Sequence, residues 1–304
     1  MSQIASIAGS AWAIDVWPEL GGALVAARAH HAGSWLDITR PADAAAIAAR
    51  DIRGLGGFVL APFCNRLEGG RFTYAGEDHH VPPNWPPDPV IAIHGLAWER
   101  PWTVEDRAES RIELGQHFAE DGAAFKYAAR LVYDVSGDAA VTTLSIRNTG
   151  PQTMPFGLGF HPYFRRTPGA TVRFDANGWL EPDSRCFPIA WHSIDTVKDA
   201  SNGLPADALE GIDATFTSWT RQAALAWPEL GARLLIDASP AAKALHIYVP
   251  RADNGFLCLE PVTHVIDVLN RREFARYGDM VPLAPGAELT LSMRWRLEAI
   301  ADAP

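Results

Sequence analysis

The sequence predicts an all-β fold, either a sandwich or a barrel of mostly antiparallel sheets. Short apolar runs punctuated by Gly, Pro, Asn and Asp recur from end to end, and several of them alternate apolar with polar residues. Alternation with a period of two is typical of half-buried strands, and many short strands between turn residues are typical of sandwiches and barrels. Helix patterns are scarce and none alternates with strands, which disfavours a parallel doubly wound sheet.

The strand predictions follow the chain in order. Apolar or alternating runs occur at residues 22–27, 130–135, 141–147 and 289–295. Turn residues lie close to them, at residues 136–138, 148–151 and 284–286. This spacing of strand and turn patterns favours antiparallel neighbours joined by short connections.

Two short helices are expected, about two turns within the Ala-rich residues 41–50 and one turn within residues 205–211. The 23 Pro and 25 Gly are spread along the chain rather than pooled in a linker. We therefore expect one domain over residues 1–304.

Composition excludes several classes of function. The chain has 304 residues, 48% of them apolar and 20% charged, which is typical of a globular protein. Its formal net charge of −10 argues against nucleic acid and anionic membrane surfaces as partners, because both need concentrated Lys and Arg. No run of about 18 apolar residues predicts a membrane span.

Cysteine usage and the first residues bear on the compartment. Cys64, Cys186 and Cys258 are an odd, scattered set with no CxxC pair, so buried reduced thiols are expected rather than a disulfide framework. The N-terminus lacks a basic region followed by an apolar core, so a secretory signal is not expected. A cytoplasmic location follows as the expectation.

His161 and Glu260 are the leading candidates for chemistry. His161 lies in the string GLGFHPYF at residues 157–164, among glycines and aromatic residues. Glu260 lies in the apolar string FLCLEP at residues 256–261, which reads as an internal strand that ends or bulges at Pro261. A buried carboxylate has a raised pKa, and an imidazole titrates near neutrality, so the two could form a proton-transfer pair.

Four polar residues are candidates for contacts with a ligand rich in hydroxyl groups. Asn65 and Arg66 are adjacent and offer both donors and an acceptor. His94 precedes Gly95, which adds no bulk near a ligand. Asp213 lies in a turn-like setting. Taken singly, each of these four also fits an ordinary structural role.

Other site types lack a pattern in the sequence. The adjacent pairs at residues 30–31 and 79–80 put neighbouring histidines on opposite faces of a strand, so neither pair suits one metal ion. The chain has no HExxH motif, nucleophile elbow, phosphate-binding loop or dinucleotide fingerprint. No metal and no cofactor are expected.

Taken in order, these motifs resemble the aldose 1-epimerase (galactose mutarotase) family. The matching strings are NR at 65–66, HG at 94–95, GFHPYF at 159–164, GID at 211–213 and EPVT at 260–263, with Asn270 further on. They span most of the chain. Pro162, where the galactose enzymes have Ser, and a shorter carboxylate motif are departures, so the resemblance does not name the sugar.

The resemblance implies a large antiparallel β-sandwich with few short helices and a sugar site. Carried over by position, Glu260 resembles the general base and His161 the general acid of the family. Arg66, His94 and Asp213 resemble its sugar-binding residues, and Asn65 and Asn270 its supporting residues. Proton transfer requires His161 charged and Glu260 ionised together, and each favours the other's charged form at close range. The expected partner is a small-molecule sugar, and the expected assembly is a monomer or homodimer.

Three alternatives remain open. A hexose 6-phosphate as substrate would need a cationic pocket, for which residues 165–166 and 271–272, two Arg pairs, are candidates. A sugar-binding or sensor protein without catalysis could use the same scaffold. An adaptor without a ligand is the third.

Overall fold

The computed structural model describes residues 4–194, 200, 203–251 and 255–300, and strands dominate these ranges. In the first third of the chain the strands are β1 (Ala5–Ala8), β2 (Trp12–Trp17), β3 (Ala23–His31), β4 (Ser34–Asp37), β5 (Gly57–Leu60), β6 (Arg66–Leu67), β7 (Arg71–Tyr74), β8 (Glu77–His80), β9 (Ala92–Ile93) and β10 (Thr103–Arg107). The middle third contains β11 (Arg111–Phe118), β12 (Tyr127–Asp134), β13 (Ala140–Asn148), β14 (Met154–Phe156), β15 (Gly159–Pro162), β16 (Phe164–Arg165), β17 (Thr171–Phe174), β18 (Gly178–Pro182) and β19 (Pro188–Ser193). The last third contains β20 (Leu204–Pro205), β21 (Asp213–Thr217), β22 (Gln222–Trp227), β23 (Ala232–Ala238), β24 (Ala244–Tyr248), β25 (Phe256–Val262), β26 (Val281–Leu283) and β27 (Glu288–Ala299).

Helices are short, as expected. The α-helix α1 (Ala44–Ala49) begins after Asp43, whose side chain accepts from the Ala45 N–H and so caps its first turn. Short 3₁₀ segments occur at Ile52–Gly54, Glu68–Gly70, Ala97–Glu99, Ala206–Leu209, Pro228–Leu230 and Arg272–Tyr277. Both helices expected from the sequence are present within residues 41–50 and 205–211, the first as α1 and the second as the 3₁₀ segment Ala206–Leu209. Within the described ranges, no helix combines the length and the apolar character needed to cross a bilayer.

Two large antiparallel sheets form the fold. The first has 12 strands in the order β1-β2-β3-β5-β15-β25-β24-β21-β18-β19, with β4 added beside β3 and β16 beside β25. The second has nine strands in the order β10-β11-β12-β13-β27-β23-β22-β17-β20. The alternating segments at 141–147 and 289–295 became β13 and β27, which pair in the second sheet. The predicted all-β, antiparallel fold is confirmed.

Aromatic side chains from both sheets pack between them. Trp12 of β2 lies 6.4 Å from Trp295 of β27, measured between ring centroids. The ring centroids of Phe216 in β21 and Phe174 in β17 are 4.8 Å apart. These contacts bury the inner face of the first sheet against the second and leave its outer face for other elements.

One detail of β25 differs from the sequence prediction. The strand continues through Pro261 to Val262, with Pro261 opposite Leu245 of β24, so the expected end at Pro261 is wrong. A proline removes one N–H donor only, and the neighbouring pairs His246–Glu260 and Ala244–Val262 keep the strands in register.

Candidate active site

The floor of the candidate site is a row of side chains across the first sheet. Strand register places Phe58 opposite His161, His246 opposite Glu260, and Thr215 opposite His246. The pairing of Gly159 with Val262 continues this register from β15 to β25 and places His161 beside Glu260. Phe216 faces the second sheet, and successive side chains of a strand point to opposite faces, so Thr215 points to the outer face. The other side chains of the row share this face with Thr215.

His161 and Glu260 form the buried centre of this row. His161 Nε2 lies 3.5 Å from Glu260 Oε1, and the two residues are 7% and 1% exposed. The other polar atoms, His161 Nδ1 and Glu260 Oε2, have no hydrogen-bond partner within the described part of the chain. Phe58 and Tyr163 pack on the imidazole, each with a ring centroid 4.8 Å away. The pair is therefore held by aromatic packing, and these two polar atoms are buried without a partner among the described residues.

Burial dominates the acid–base properties of the pair. It lowers the pKa of His161 to about 3, and the neighbouring His246 acts in the same direction. It raises the pKa of Glu260 well above its usual range, with a further contribution from the charge of Asp213. Both shifts favour the neutral forms, so burial outweighs the mutual attraction expected of a charged pair. A neutral imidazole with a carboxylic acid and an imidazolium with a carboxylate carry the same number of protons, one more than a neutral imidazole with a carboxylate.

Asn65, Arg66 and Asp213 form a second polar group beside the pair. Asn65 Oδ1 accepts from the backbone N–H of Arg66 and from its Nη1, both at 2.9 Å. Arg66 Nη2 lies 3.2 Å from Asp213 Oδ2. Burial alone would raise the pKa of Asp213, but the hydrogen bond with His246 and the charge of Arg66 outweigh it and lower the pKa. Asp213 is thus an ionised acceptor at neutral pH.

His94 stands over the pair from a loop. Its ring lies 5.1 Å from that of His161 in an edge-to-face arrangement, and its Nδ1 has no partner among the described residues. Burial lowers the pKa of His94 well below its usual value, which keeps the imidazole neutral. The next residue must be glycine, since a Cβ on Gly95 would lie 2.0 Å from the carbonyl oxygen of Ala61. The close approach of backbone to backbone fixes where His94 points.

All six residues predicted from the sequence line one pocket of about 270 Å³. Asn65, Arg66, His94, His161, Asp213 and Glu260 share it with Arg53, Phe58, Trp85, Ile93, Trp98, Tyr163, His246, Tyr248 and Phe256. Asn270 is not part of it and donates instead to Asp267 Oδ1 and to the carbonyl of Arg71. A larger groove of about 890 Å³ runs beside β8 and the loops at residues 119–126 and 148–152 and contains none of the six.

Sequence reasoning missed His246 and the aromatic rim. His246 interrupts the otherwise apolar string at 244–247, and this lone imidazole in an apolar strand could have marked it as a candidate site residue. Trp85 lies in the Pro-rich loop after β8, and Trp98 stacks on Phe58 with centroids 5.5 Å apart. Aromatic faces at the mouth of a polar pocket suit the C–H faces of a sugar ring.

The two Arg pairs considered for phosphate binding lie outside the pocket. Arg166 is buried and pairs with Asp207 and Glu210. Arg271 and Arg272 pair with acidic residues elsewhere, namely Glu68, Asp267 and Asp279. A cationic phosphate pocket built from these pairs is therefore not supported.

One group of side chains in the described ranges has metal-ligand chemistry. Single ligand atoms of His161, Cys258 and Glu260 lie within 4.8 Å of one another. Zinc is held at 2.0–2.3 Å by such atoms, so an ion bound there would engage His161 and Glu260 directly and hinder proton exchange between them.

Comparison with known proteins assigns the chain to a family. The family model described as aldose 1-epimerase matches residues 15–296. The chain belongs to the aldose 1-epimerase family. All six pocket residues predicted from the sequence fall within the matched residues.

Relatives and solved structures agree with this family fold. The uncharacterized Escherichia coli K12 protein YphB is 30% identical over 248 residues, which cover 79% of this chain and 83% of YphB. A galactose mutarotase-like protein from Clostridium acetobutylicum superposes with a TM-score of 0.84 at 20% identity, covering 97% and 94% of the two chains. The GalM/aldose epimerase homologue from C. elegans gives a TM-score of 0.83 at 18% identity, covering 99% and 100%.

Proposed function

We propose that the protein is a cofactor-independent aldose 1-epimerase that interconverts the α and β anomers of a free aldose. The observation that carries the proposal is the buried His161–Glu260 pair, 3.5 Å apart, on the floor of a pocket lined by polar and aromatic residues. Anomer exchange needs one proton removed and one added at two oxygens bonded to the same carbon. Two neighbouring acid–base groups meet that requirement.

The reaction proceeds by ring opening and closure. Glu260 takes the proton of the anomeric hydroxyl while His161 gives a proton to the ring oxygen, and the bond between that oxygen and C1 breaks. The open-chain aldehyde rotates about its C1–C2 bond. Closure reverses both transfers, so His161 and Glu260 return to their starting states and no proton is gained or lost overall.

Substrate binding supplies the charged form of the pair. In the free protein burial favours a neutral imidazole and a carboxylic acid. One proton moving from Glu260 to His161 creates the acid and base without exchange with water. Both residues line the pocket, and sugar oxygens that hydrogen-bond to Glu260 and His161 there favour those charged forms.

The neighbouring groups bind the sugar and retain the open chain. Asp213 and Arg66 present an ionised acceptor and a planar donor, and His94 presents a neutral imidazole. Holding hydroxyls at several points keeps C1 near the pair while the ring is open. The aromatic rim, including Trp85 and Trp98, covers the apolar face of the ring.

Polarimetry of freshly dissolved α-glucose and α-galactose tests the proposal. The wild type should accelerate the approach to the equilibrium rotation, and Glu260→Gln and His161→Asn should each lower kcat by about 100- to 10,000-fold. The exposed Glu19→Gln and His117→Asn are matched controls for the same chemical changes and should behave as wild type. Wild-type rates in both pocket variants would refute the assignment.

The same assay separates the alternatives. A neutral-aldose enzyme should keep its rate in saturating inorganic phosphate, whereas a hexose 6-phosphate enzyme should be inhibited. Calorimetric binding of aldoses without any acceleration would establish a sugar-binding protein instead. The absence of both binding heat and acceleration with every free aldose tested would favour an adaptor.

A further inference from the structure

His246 lies at the junction of the polar residues that surround the proton-transfer pair. Its Nε2 is 2.9 Å from Asp213 Oδ1 and 3.3 Å from Asn65 Nδ2, and its Nδ1 is 3.0 Å from Thr215 Oγ1. Asp213 and Asn65 are both bonded to Arg66 on their other sides. Hydrogen bonds thus run from His246 through Asp213 and Arg66 to Asn65, whose amide nitrogen lies close to His246 again, and we term this group of four residues the polar ring.

The contacts decide which nitrogen of His246 carries a proton. A carboxylate oxygen can only accept, so the 2.9 Å contact requires a proton on Nε2. The Asn65 amide nitrogen is also a donor, since its oxygen already accepts from Arg66, and it cannot donate to a protonated Nε2. The amide hydrogens of Asn65 thus remain available to the pocket. Thr215 fixes the ring orientation through Nδ1.

Burial makes the contact with Asp213 consequential. His246 is 3% exposed, and Asp213 is bonded at Oδ1 by His246 and at Oδ2 by Arg66. The two donors hold the carboxylate in one orientation from opposite sides. Removal of either donor frees the carboxylate to rotate and weakens the support of its ionised form.

We propose that His246 is a positioning residue for sugar binding, which acts by fixing Asp213 and, through the polar ring, Arg66 and Asn65. This inference rests on the proposed function and adds a role to it. His246 does not exchange protons with the sugar. It keeps one acceptor and two donors oriented toward the sugar hydroxyls, so its loss weakens binding more than it slows the chemical step.

Two substitutions separate donation from volume. His246→Leu keeps an apolar bulk but removes the donor, and we expect KM to rise about 10- to 100-fold, as for a lost hydrogen bond to a charged group, with kcat within about threefold. His246→Gln restores an N–H near Asp213 and should keep KM within about threefold of wild type. A general packing defect would not be rescued by Gln. Equal losses in both variants, or a fall in kcat at unchanged KM, would overturn the proposal.

A double-mutant cycle tests whether the effect passes through Asp213. Asp213→Ala alone should raise KM, and adding His246→Leu to it should raise KM by less than about threefold more, because Ala has already removed the acceptor that His246 contacts. Full additivity would show that His246 does not act through Asp213.

Imidazole ¹⁵N NMR of the wild type provides a test without any variant, which matters if His246→Leu does not fold. The proposal requires a proton on Nε2 of His246, and a bare Nε2 overturns it. If the wild type binds aldoses but does not accelerate mutarotation, the proposed function fails while calorimetric Kd values for the same variants still test His246. If the wild type binds no aldose, both fail.

Discussion

Glu260 combines burial with the charge that its proposed role requires, and stability should reveal the conflict. Burial raises its pKa in the folded protein above the unfolded value of about 4.3. The folded state then binds more protons than the unfolded state above pH 4.3, so this residue reduces stability as the pH rises. Glu260→Gln removes the titration and should raise the free energy of unfolding at pH 7 by about 1.4 kcal/mol for each unit by which the folded pKa exceeds the unfolded one, counted up to pH 7.

Urea denaturation at pH 4, 5.5 and 7 measures this effect. The gain of Glu260→Gln over wild type should grow with pH and shrink toward zero near pH 4. Glu19→Gln, at an exposed position, should show no such trend. A Gln variant less stable than wild type at pH 7 would show that Glu260 is not held neutral by burial.

The shared proton of His161 and Glu260 predicts an unusual pH profile. In the free protein the pair of neutral His161 and protonated Glu260 persists on the acid side until His161 also becomes protonated. Burial lowers the pKa of His161 to about 3. The acid limb of kcat/KM should therefore lie near pH 3, below the value of about 4.3 for an ordinary Glu base. Rates corrected for spontaneous mutarotation, with circular dichroism as a check on folding, give the profile. An acid limb above pH 4, or a fall in rate above pH 6.5 from loss of an ordinary imidazolium, would contradict it.

At the scale of elements, the approach to β15 depends on Gly157. A Cβ at this position would lie 2.1 Å from His264 Cδ2. The His264 ring cannot easily move, because its Nε2 accepts from the Cys64 N–H and its Nδ1 lies 2.8 Å from the Val265 carbonyl. Gly157→Ala should cost about 1–3 kcal/mol by overpacking and should lower kcat by displacing the strand that carries His161.

A glycine in open space is the control for this substitution. A Cβ at Gly137, in the turn before β13, would meet nothing within 4 Å, so Gly137→Ala should leave stability within about 0.5 kcal/mol of wild type. Urea titrations of both variants measure the difference. Equal stability of the two would mean that His264 can move aside at little cost.

Local patterns predicted the strands, but pairing across the sheet was beyond them. Alternation at 141–147 and 289–295 was sufficient for β13 and β27, because each buries one face. The position of His246 beside Glu260 and Asp213 depends on the order β25-β24-β21, which no short stretch of sequence encodes. The same limit applies to Arg66 and Asp213, which are 147 residues apart and meet at 3.2 Å. The resemblance placed both in one site, whereas their contact required the register.

At the scale of the whole molecule, one face of the first sheet forms the core and the other face carries the pocket proposed to bind a sugar. The inner face packs on the second sheet through Trp12, Trp295 and Phe164, and the outer face carries the pocket. Substitutions between the sheets should therefore change the free energy of unfolding and leave KM unaltered.

Trp12 and Trp295 offer a matched test of this division. The Trp12 indole donates to the Asp138 carbonyl at 3.1 Å, whereas Trp295 Nε1 is buried without a partner within the described ranges. Trp12→Phe loses volume and a hydrogen bond, while Trp295→Phe loses the same volume but also an unsatisfied donor, whose burial costs about 1–3 kcal/mol. Trp295→Phe should thus destabilise the protein by about 1–2 kcal/mol less than Trp12→Phe. Urea denaturation measures this difference and polarimetry the KM values, and a KM change in either variant would show that the sheet transmits core packing to the pocket.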